Sequence, residues 1–488
     1  MQSFDDIKEV LNKLTTNILH ESAVNIANMP SSGSSRKYFR ITTETRSLIG
    51  TYNSNIEENV AFFTFSKHFL ERGLPVPEVF AVNDEKDIYI QTDFGDNTLY
   101  NNVERCLKNG CYDDETVEFY KKTLEHLIDF QTNGHNGLDY SKAFPTACFD
   151  KMSILDDLNY FKYCFLKINE EISFNETRLN ADFQRLADFI LEAQSDFFMY
   201  RDFQSRNIMI KDNSLYFIDY QGGRKGPLQY DVVSLLYQVK ACIPAEIREQ
   251  LLAHYLTNLE KKCGNETCGK DFMRFYPAFI LLRLLQVLGA YGFRGLIQKK
   301  LHFLQSIPFA IKELLKQEKN WNLPFDLEEL RSVIRQLNMV LPKYEHAEPE
   351  RLTITVNSFS FKNGGIPNDS SGNGGGFVFD CRALPNPGRY PEFKNSTGED
   401  TDVKEFMDSY QDTHFFMQNI QMLVFQSIDN YLERGFKNLQ LNFGCTGGQH
   451  RSVYFAQKIG ETIHENYPMV NVLVNHLVQH KNHVYEAK

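Results

Sequence analysis

The stretch that decides the fold is FFMYRDFQSRNIMIKDNSLYFIDYQ, residues 197–221. Two short apolar runs, Ile208–Ile210 and Leu215–Ile218, flank the polar turn 211–214, and this pattern predicts a β-hairpin. Counted back from the turn, the predicted register pairs Ile210 with Leu215, Met209 with Tyr216 and Ile208 with Phe217. The open end of this hairpin is where the chemistry of the chain concentrates.

Three oxygen-bearing side chains converge there. Asn207 and Asp219 would face each other, and Asp202 precedes Asn207 by five positions. Mg²⁺ prefers hard oxygen ligands, so Asn207 and Asp219 suffice when nucleotide phosphates supply the rest. Asp202 would accept the proton of an attacking hydroxyl as the catalytic residue. The alternative is a surface hairpin whose Asp and Asn only satisfy turns, but the combined pattern favours phosphoryl transfer.

This arrangement resembles the aminoglycoside phosphotransferase/choline kinase family, over most of residues 1–335. The stretch GPLQYDVVSLLYQ supports the resemblance, because Asp231 matches the family's Asp that braces the catalytic loop. From the residues alone, Asp231 could equally be a helix N-cap. The resemblance implies ATP and Mg²⁺ as cofactors and a bilobal, protein-kinase-like α+β fold with a small lobe at about 1–100 and a helical lobe at about 101–340.

A subgroup of that family is more similar still. The order and spacing of SSRKYFRI, TDFGDNTLY and FDKMSILDDLNYFKYCFL match the AmgK-type anomeric amino-sugar kinases of cell-wall recycling. The resemblance implies an acceptor like N-acetylmuramate or N-acetylglucosamine. The predicted substrate-binding residues are Asp150, Asp156 and Asp157. A solvated helix face is the alternative for each of these carboxylates.

Nucleotide binding is assigned to a serine-rich loop and one arginine. The predicted residues are Ser32, Gly33, Ser34, Ser35 and Arg40. The lysine of the third strand in protein kinases is missing from RSLIGTYN, so Arg40 is the candidate phosphate cation, held by Glu57 or Glu58. The alternative is that Arg40 is a solvated strand residue. Tyr200 also stands where many relatives carry a histidine.

A second constellation lies in LQLNFGCTGGQHRSVYFAQKIGETI, residues 439–463. A strand, a glycine-rich turn and a helix start form an anion cradle from backbone N–H groups. The spacing of Cys445 and Arg451 also fits the C-x₅-R loop of tyrosine phosphatases, which leaves a cysteine phosphatase as an alternative. A tight turn around a buried cysteine is the plain structural interpretation.

The stretches DCRALPNPGRYPE, GCTGGQHRS and TITVNSFSFKNGGIP resemble the C-terminal domain of the RNase adapter RapZ, over residues 352 to about 480. In that family the domain binds glucosamine-6-phosphate. The implied phosphosugar site is Thr446, Gly447, Gly448, His450, Arg451 and Ser452, with Asp380, Arg382, Asn386 and His476 as further candidates. His476 is also a candidate for an ordinary core histidine. The nucleotide-binding half of RapZ is replaced here by the kinase-like region.

Composition limits the remaining choices. The 488 residues predict two or three domains: a kinase-like domain at 1–340, a linker at 341–351 and a smaller α/β domain at 352–488. The formal net charge of −11 excludes a globally basic nucleic-acid surface, so RNA is a less favoured partner. We expect a helix over residues 1–28 without a signal layout, a buried helix near 277–293, no membrane partner and a cytoplasmic protein.

The sequence therefore predicts an ATP- and Mg²⁺-dependent kinase that phosphorylates a hydroxyl of an amino sugar, with the anomeric hydroxyl a candidate position. The kinase is fused to a phosphosugar-binding regulatory domain. Two alternatives stay open: a metabolite-sensing adapter without kinase turnover, and a C-terminal cysteine phosphatase.

Overall fold

The computed structural model describes residues 4–29, 36–264, 267–345, 351–369, 371–372, 376–434 and 436–487. The chain divides into two compact units. The first comprises Met1–Phe293 and Ser306–Pro342, and the second comprises Arg294–Gln305 and Lys343–Lys488. The last helix of the first unit ends at Glu345, so residues 341–345 of the predicted linker are helical. Residues 346–350 of that linker lie outside the described residues.

The first unit begins with a five-stranded antiparallel sheet in the order β1-β2-β3-β5-β4. Its elements are α1 Phe4–Leu19, β1 Asn25–Asn28, β2 Lys37–Thr42, β3 Ser47–Tyr52, α2 Ile56–Glu71, β4 Val79–Val82 and β5 Ile88–Thr92. The apolar residues Ile7, Leu11 and Leu14 lie three or four apart, so α1 buries one face in the same core as the strands. Leu11 approaches β3 so closely that Gly50 has no room for a Cβ atom.

The prediction of a helix over residues 1–28 is wrong at its end. The helix stops at Leu19, and Asn25–Asn28 form an edge strand antiparallel to β2. The four-residue segment NIAN carries no clear apolar alternation, so only its pairing with β2 identifies it as a strand.

The chain from Leu99 to Glu345 is mainly helical, and together with the N-terminal sheet it confirms the predicted α+β class. Its elements are α3 Leu99–Asn109, α4 Asp114–Thr132, α5 Lys151–Cys164, α6 Glu176–Ile190, β6 Phe197–Met199, β7 Ile208–Lys211, β8 Ser214–Phe217, β9 Arg224–Gly226, α7 Leu228–Leu236, α8 Ala245–Cys263, α9 Thr267–Tyr291, α10 Leu301–Leu304, α11 Ile307–Asn320 and α12 Glu328–Glu345. Of these, α10 belongs to the second unit, and α12 runs past the boundary at Pro342.

Strands β7 and β8 form the predicted hairpin in the predicted register: Ile208 pairs with Phe217, Met209 with Tyr216 and Ile210 with Leu215. The two turn residues, Asp212 and Asn213, both have positive φ, which is the geometry of a tight two-residue hairpin turn. Asp and Asn tolerate this backbone region better than other non-glycine residues.

The apolar run near residues 277–293 lies in α9, whose residues Leu281, Leu284, Leu285 and Leu288 are buried. Within the described part of the chain, the segment Asp271–Ile297 alone is long and apolar enough to cross a membrane by length and composition. In the structure 56% of its apolar window is buried. A core helix passes the same test, and the contacts of α9 with α5 and α7 account for its apolar composition.

The second unit is an α/β structure built on a five-stranded sheet in the order β11-β12-β10-β13-β14. Its elements are β10 Thr353–Ser360, β11 Phe377–Asp380, α13 Thr401–Asp408, α14 Gln411–Arg434, β12 Asn438–Cys445, α15 Arg451–Asn466, β13 Asn471–His476 and β14 Lys481–Tyr485. Strands β10 to β13 are parallel, and β14 runs antiparallel to β13. The carboxyl ends of the parallel strands therefore meet at one edge, where ligands bind in open α/β sheets.

Candidate active site and candidate anion site

The hairpin brings the three predicted catalytic and metal residues together. The Asn207 side-chain amide donates to the backbone carbonyl of Asp202 at 2.8 Å and to Asp219 Oδ2 at 3.1 Å. The Asn207 carbonyl accepts from the N–H of Ile218 at 3.0 Å, which extends the hairpin to its open end. One asparagine thus links the loop that carries Asp202 to the carboxylate of Asp219.

The loop before the hairpin is held in a strained conformation by Asp231. Both carboxylate oxygens of Asp231 accept backbone N–H groups, from Tyr200 at 2.7 Å and Arg201 at 2.9 Å. Arg201 has a φ of +80°, a region that costs an L-residue about 1–3 kcal/mol unless its surroundings fix it. The N-cap of α7 is Pro227, so Asp231 lies inside that helix rather than capping it.

Tyr200 fixes the same loop from the other side, because its hydroxyl donates to the carbonyl of Ile218 at 2.7 Å. This bond joins the catalytic loop to the residue before Asp219. Asp219 itself has a φ of +70°. The loop that carries Asp202 and the segment that carries Asp219 therefore each contain a non-glycine residue with positive φ. Such outliers are typical of functional sites.

The electrostatics at the open end fit a cation. Burial and the neighbouring Asp202 carboxylate raise the pKa of Asp219, because removal from water and a nearby like charge both disfavour its ionised form. Within the described part of the chain, Asn207 Oδ1 makes no hydrogen bond, so it remains available beside Asp219. An amide oxygen next to a carboxylate is a donor set that suits Mg²⁺.

The cation nearest Asp219 is Arg36, which the sequence reasoning missed. Its guanidinium lies 2.7 Å from Glu58 Oε1 and 3.5 Å from Asp219 Oδ1. Glu58 lies in the first turn of α2 and also accepts a hydrogen bond from Asn53 at 2.9 Å. Arg36 is thus a buried arginine that has the glutamate partner expected for Arg40.

Arg40 contacts neither Glu57 nor Glu58, so that expectation is wrong. Its guanidinium instead donates to Asp93 and Asp96, at 2.8 Å each, just after β5. Along β2 and the residues that precede it, Arg36 and Arg40 lie four positions apart, and only Arg36 lies within reach of α2. Ser32, Gly33, Ser34 and Ser35 lie outside the described residues.

In the second unit, the turn after β12 is organised around Cys445. The Cys445 sulfur accepts from the N–H of Gly448 at 3.2 Å and contacts Ser452 Oγ at 3.1 Å. Gly448 has a φ of +71°, and a Cβ atom there would lie 2.4 Å from Val478. Gly447, in contrast, faces open space. The turn is thus rigid at Gly448 and accessible at Gly447.

Two polar residues of the predicted anion site already have backbone partners. Arg451, which is 4% exposed, donates through Nη1 to the carbonyls of Arg382 and Leu384, at 2.8 and 3.0 Å. The ring of His450 contacts the carbonyl of Phe393 at 2.9 Å. Arg451 therefore fixes the neighbouring loop. Because Cys445 is only 3% exposed, the geometry also gives little support to a cysteine nucleophile.

Comparison with known proteins assigns the two regions separately. Residues 170–264 match the family model described as the phosphotransferase enzyme family. Residues 352–480 match the RapZ C-terminal domain. The N-terminal region thus resembles the phosphotransferases, and the C-terminal region resembles RapZ, as the sequence predicted.

Individual relatives match over shorter shares of the chain. A nucleotide-binding protein of Thermotoga neapolitana is 31% identical over 35% of this chain and 60% of its own length. One from Pseudoalteromonas translucida is 44% identical over 27% of this chain and 44% of its own length. The chain thus spans about half the length of these relatives. The solved ethanolamine kinase of Plasmodium vivax is 11% identical, with a TM-score of 0.46 over 65% of this chain and 89% of that one.

The predicted substrate carboxylates occupy three different environments along α5. Asp150 caps the helix by accepting from the N–H of Ser153 at 2.9 Å. Asp156 is exposed, and Asp157 is buried in an ion pair with Arg201 at 2.6 Å. In this structure Asp157 thus pairs with the loop that carries Asp202, and substrate binding by these residues stays a prediction.

Proposed function

We propose that the protein is a kinase that transfers a phosphoryl group from ATP to a hydroxyl of a small molecule, with Mg²⁺ as cofactor. The observation that carries the proposal is the placement of Asn207 between the Asp202 loop and the Asp219 carboxylate. A surface hairpin would not need a neighbouring loop bent at Arg201 and fixed by the buried Asp231.

Each residue has a defined task in this proposal. Asn207 and Asp219 would hold Mg²⁺, which would supply positive charge beside the nucleotide phosphates. Asp202 accepts the hydrogen bond of the acceptor hydroxyl and then its proton. Arg36 lies close enough to Asp219 to pair with a phosphate oxygen while Glu58 keeps its guanidinium in place.

The acceptor we propose is an amino sugar of the N-acetylmuramate or N-acetylglucosamine type, with its anomeric hydroxyl as one candidate position. Two resemblances that share no sequence support it, because both the AmgK-type kinases and the RapZ C-terminal domain handle amino sugars. This support is analogy rather than geometry. A role in cell-wall recycling and a cytoplasmic location belong to the same proposal.

The second unit is proposed to bind a phosphosugar at the turn 446–450 and to regulate the kinase. Phosphosugar binding is supported by the position of this turn at the sheet edge where the parallel strands end. It is also supported by α15, which follows the turn directly and has Arg451 as its first residue. Regulation requires that ligand binding in one unit changes affinity in the other, which is a measurable coupling free energy.

The test is a transfer assay with ATP, Mg²⁺ and a panel of amino sugars, choline and aminoglycosides, with products detected by mass. We expect phosphorylated product from an amino sugar, and a loss of at least about 10²-fold in Asp202→Asn. Asp212→Asn on the exposed hairpin turn is the matched control and should retain activity. No product from any hydroxyl acceptor would favour the metabolite-sensing adapter instead.

A further inference from the structure

Two histidines and a glutamate of the second unit converge from three segments of the chain. Glu399 precedes α13, His476 is the last residue of β13, and His483 lies in β14. In the antiparallel pairing His483 lies opposite Val474, two residues from His476, so both imidazoles project from the same face. The potential ligand atoms of the three residues all lie within 4.8 Å of one another.

His476 has the surroundings of a preorganised ligand. Its Nδ1 contacts Ser358 Oγ at 2.9 Å, and its Nε2 makes a longer contact of 3.3 Å with Gln457 Oε1. A partner on one ring nitrogen fixes the tautomer and the orientation of a metal-binding imidazole.

Glu399 is held by two residues of β14. One carboxylate oxygen lies 2.8 Å from His483 Nε2, and the other accepts from Lys481 at 2.7 Å. Lys481 orients the carboxylate and can stay on its outer oxygen while the inner oxygen binds a cation. Metal–ligand bonds of about 2.0–2.2 Å place ligand atoms about 3.3 Å apart, so small side-chain movements would close the cluster.

The geometry points to a site for a divalent transition-metal ion formed by Glu399, His476 and His483. Two imidazoles and one carboxylate suit Zn²⁺ and its first-row neighbours rather than Mg²⁺ or Ca²⁺, which prefer oxygen ligands. Three protein ligands leave a fourth position for water. This site is separate from the proposed Mg²⁺ site, which lies in the other unit.

The metal site borders the anion turn and would stiffen it. The N–H of Gly398, next to Glu399, donates to the carbonyl of Gln449 at 3.0 Å. Gln479, in the turn between β13 and β14, donates to the carbonyl of Gly448 at 3.2 Å. A metal ion that joins Glu399 to the β13–β14 hairpin therefore links the two segments that hold the turn 446–450.

The experiment uses the full-length, tag-free protein, stripped with a chelator and dialysed. Titration with Co²⁺ is followed by the d–d absorption of the bound ion. Zn²⁺ binding is measured by the competition of Zn²⁺ with bound Co²⁺. We expect one equivalent with a tetrahedral cobalt spectrum, and affinity reduced more than about 100-fold in Glu399→Gln and in His483→Gln. Asp219→Asn, which alters the candidate Mg²⁺ site, and His480→Gln, in the same hairpin, should both keep the spectrum.

Circular dichroism before titration shows whether each variant is folded. Zn²⁺ should raise the melting temperature of the unchanged protein, and the Glu399→Gln and His483→Gln variants should lose this rise. The same spectrum and affinity in the folded Glu399→Gln and His483→Gln variants would overturn the assignment. Absence of a one-equivalent complex in the unchanged protein would overturn it equally.

Discussion

Replacing Asp231 tests how the catalytic loop is held. Its carboxylate is fully buried and accepts two backbone N–H groups, and hydrogen bonds to a charged group contribute about 1.5–3 kcal/mol each. Asp231→Ala should therefore cost about 3–6 kcal/mol, a large part of the stability of an ordinary domain. Asp231→Asn keeps the shape and one acceptor and leaves one buried donor unpaired, at about 1–3 kcal/mol.

The Asn variant should fold but should lose activity. Without two acceptors, Arg201 can leave its strained φ, and Asp202 moves with it. A misplacement of about 1 Å costs about 10²-fold in rate. Urea unfolding followed by circular dichroism gives the stability, and the transfer assay gives the turnover, with Asp212→Asn as control. An unchanged unfolding midpoint in Asp231→Ala, or full turnover in Asp231→Asn, would refute the bracing role.

The pH dependence gives an independent measure of the same residue. Burial raises the pKa of Asp231 to about 7, whereas an unfolded aspartate titrates near about 3.9. A raised folded-state pKa gives stability that is present at low pH and is lost as the pH rises through 7. The stability of the natural protein relative to Asp231→Asn should therefore fall by about 3 kcal/mol between pH 5 and 8. A difference that grows with pH would contradict the burial argument.

Two further substitutions test the cation and the anion site. Arg36→Ala should raise the KM for ATP about 10- to 100-fold, because a charged hydrogen bond to a phosphate is lost. Arg40→Ala should change the KM far less. If assays at varied ATP concentration gave the opposite order, Arg40 would be the phosphate ligand instead. Arg451→Ala should abolish the rise in melting temperature that glucosamine-6-phosphate produces, while exposed Arg389→Ala should keep it; equal shifts in both variants, measured by scanning calorimetry, would exclude this site.

Local sequence patterns were enough to predict the structure wherever residues that are close in sequence are also close in space. The hairpin from Ile208 to Phe217 follows from two apolar runs and a turn whose residues tolerate positive φ, so its register was correct. The same locality placed Asn207 beside Asp219, because both flank the hairpin directly. The strand predicted before the glycine-rich turn of the second unit was also correct, and it is β12.

Pairings between distant segments could not be found in this way. Arg36 and Arg40 look alike in the sequence, and only the position of α2 against the sheet decides which of them meets Glu58. The position of Arg36 directly after the serine-rich loop was a signal that favoured it as a residue of the nucleotide site. No spacing rule in the sequence, however, connects Arg36 to Glu58.

The sequence by itself determined the hairpin, its register, the two regional resemblances and the three residues at the open end, because turn chemistry and alternation act within a few residues. The tertiary structure alone decided that Asp231 fixes the loop at Tyr200 and Arg201, and that Asp157 pairs with Arg201. It also brought Glu399, His476 and His483 together. Burial selects these partners, since a polar group removed from water takes whichever partner the packing brings within reach.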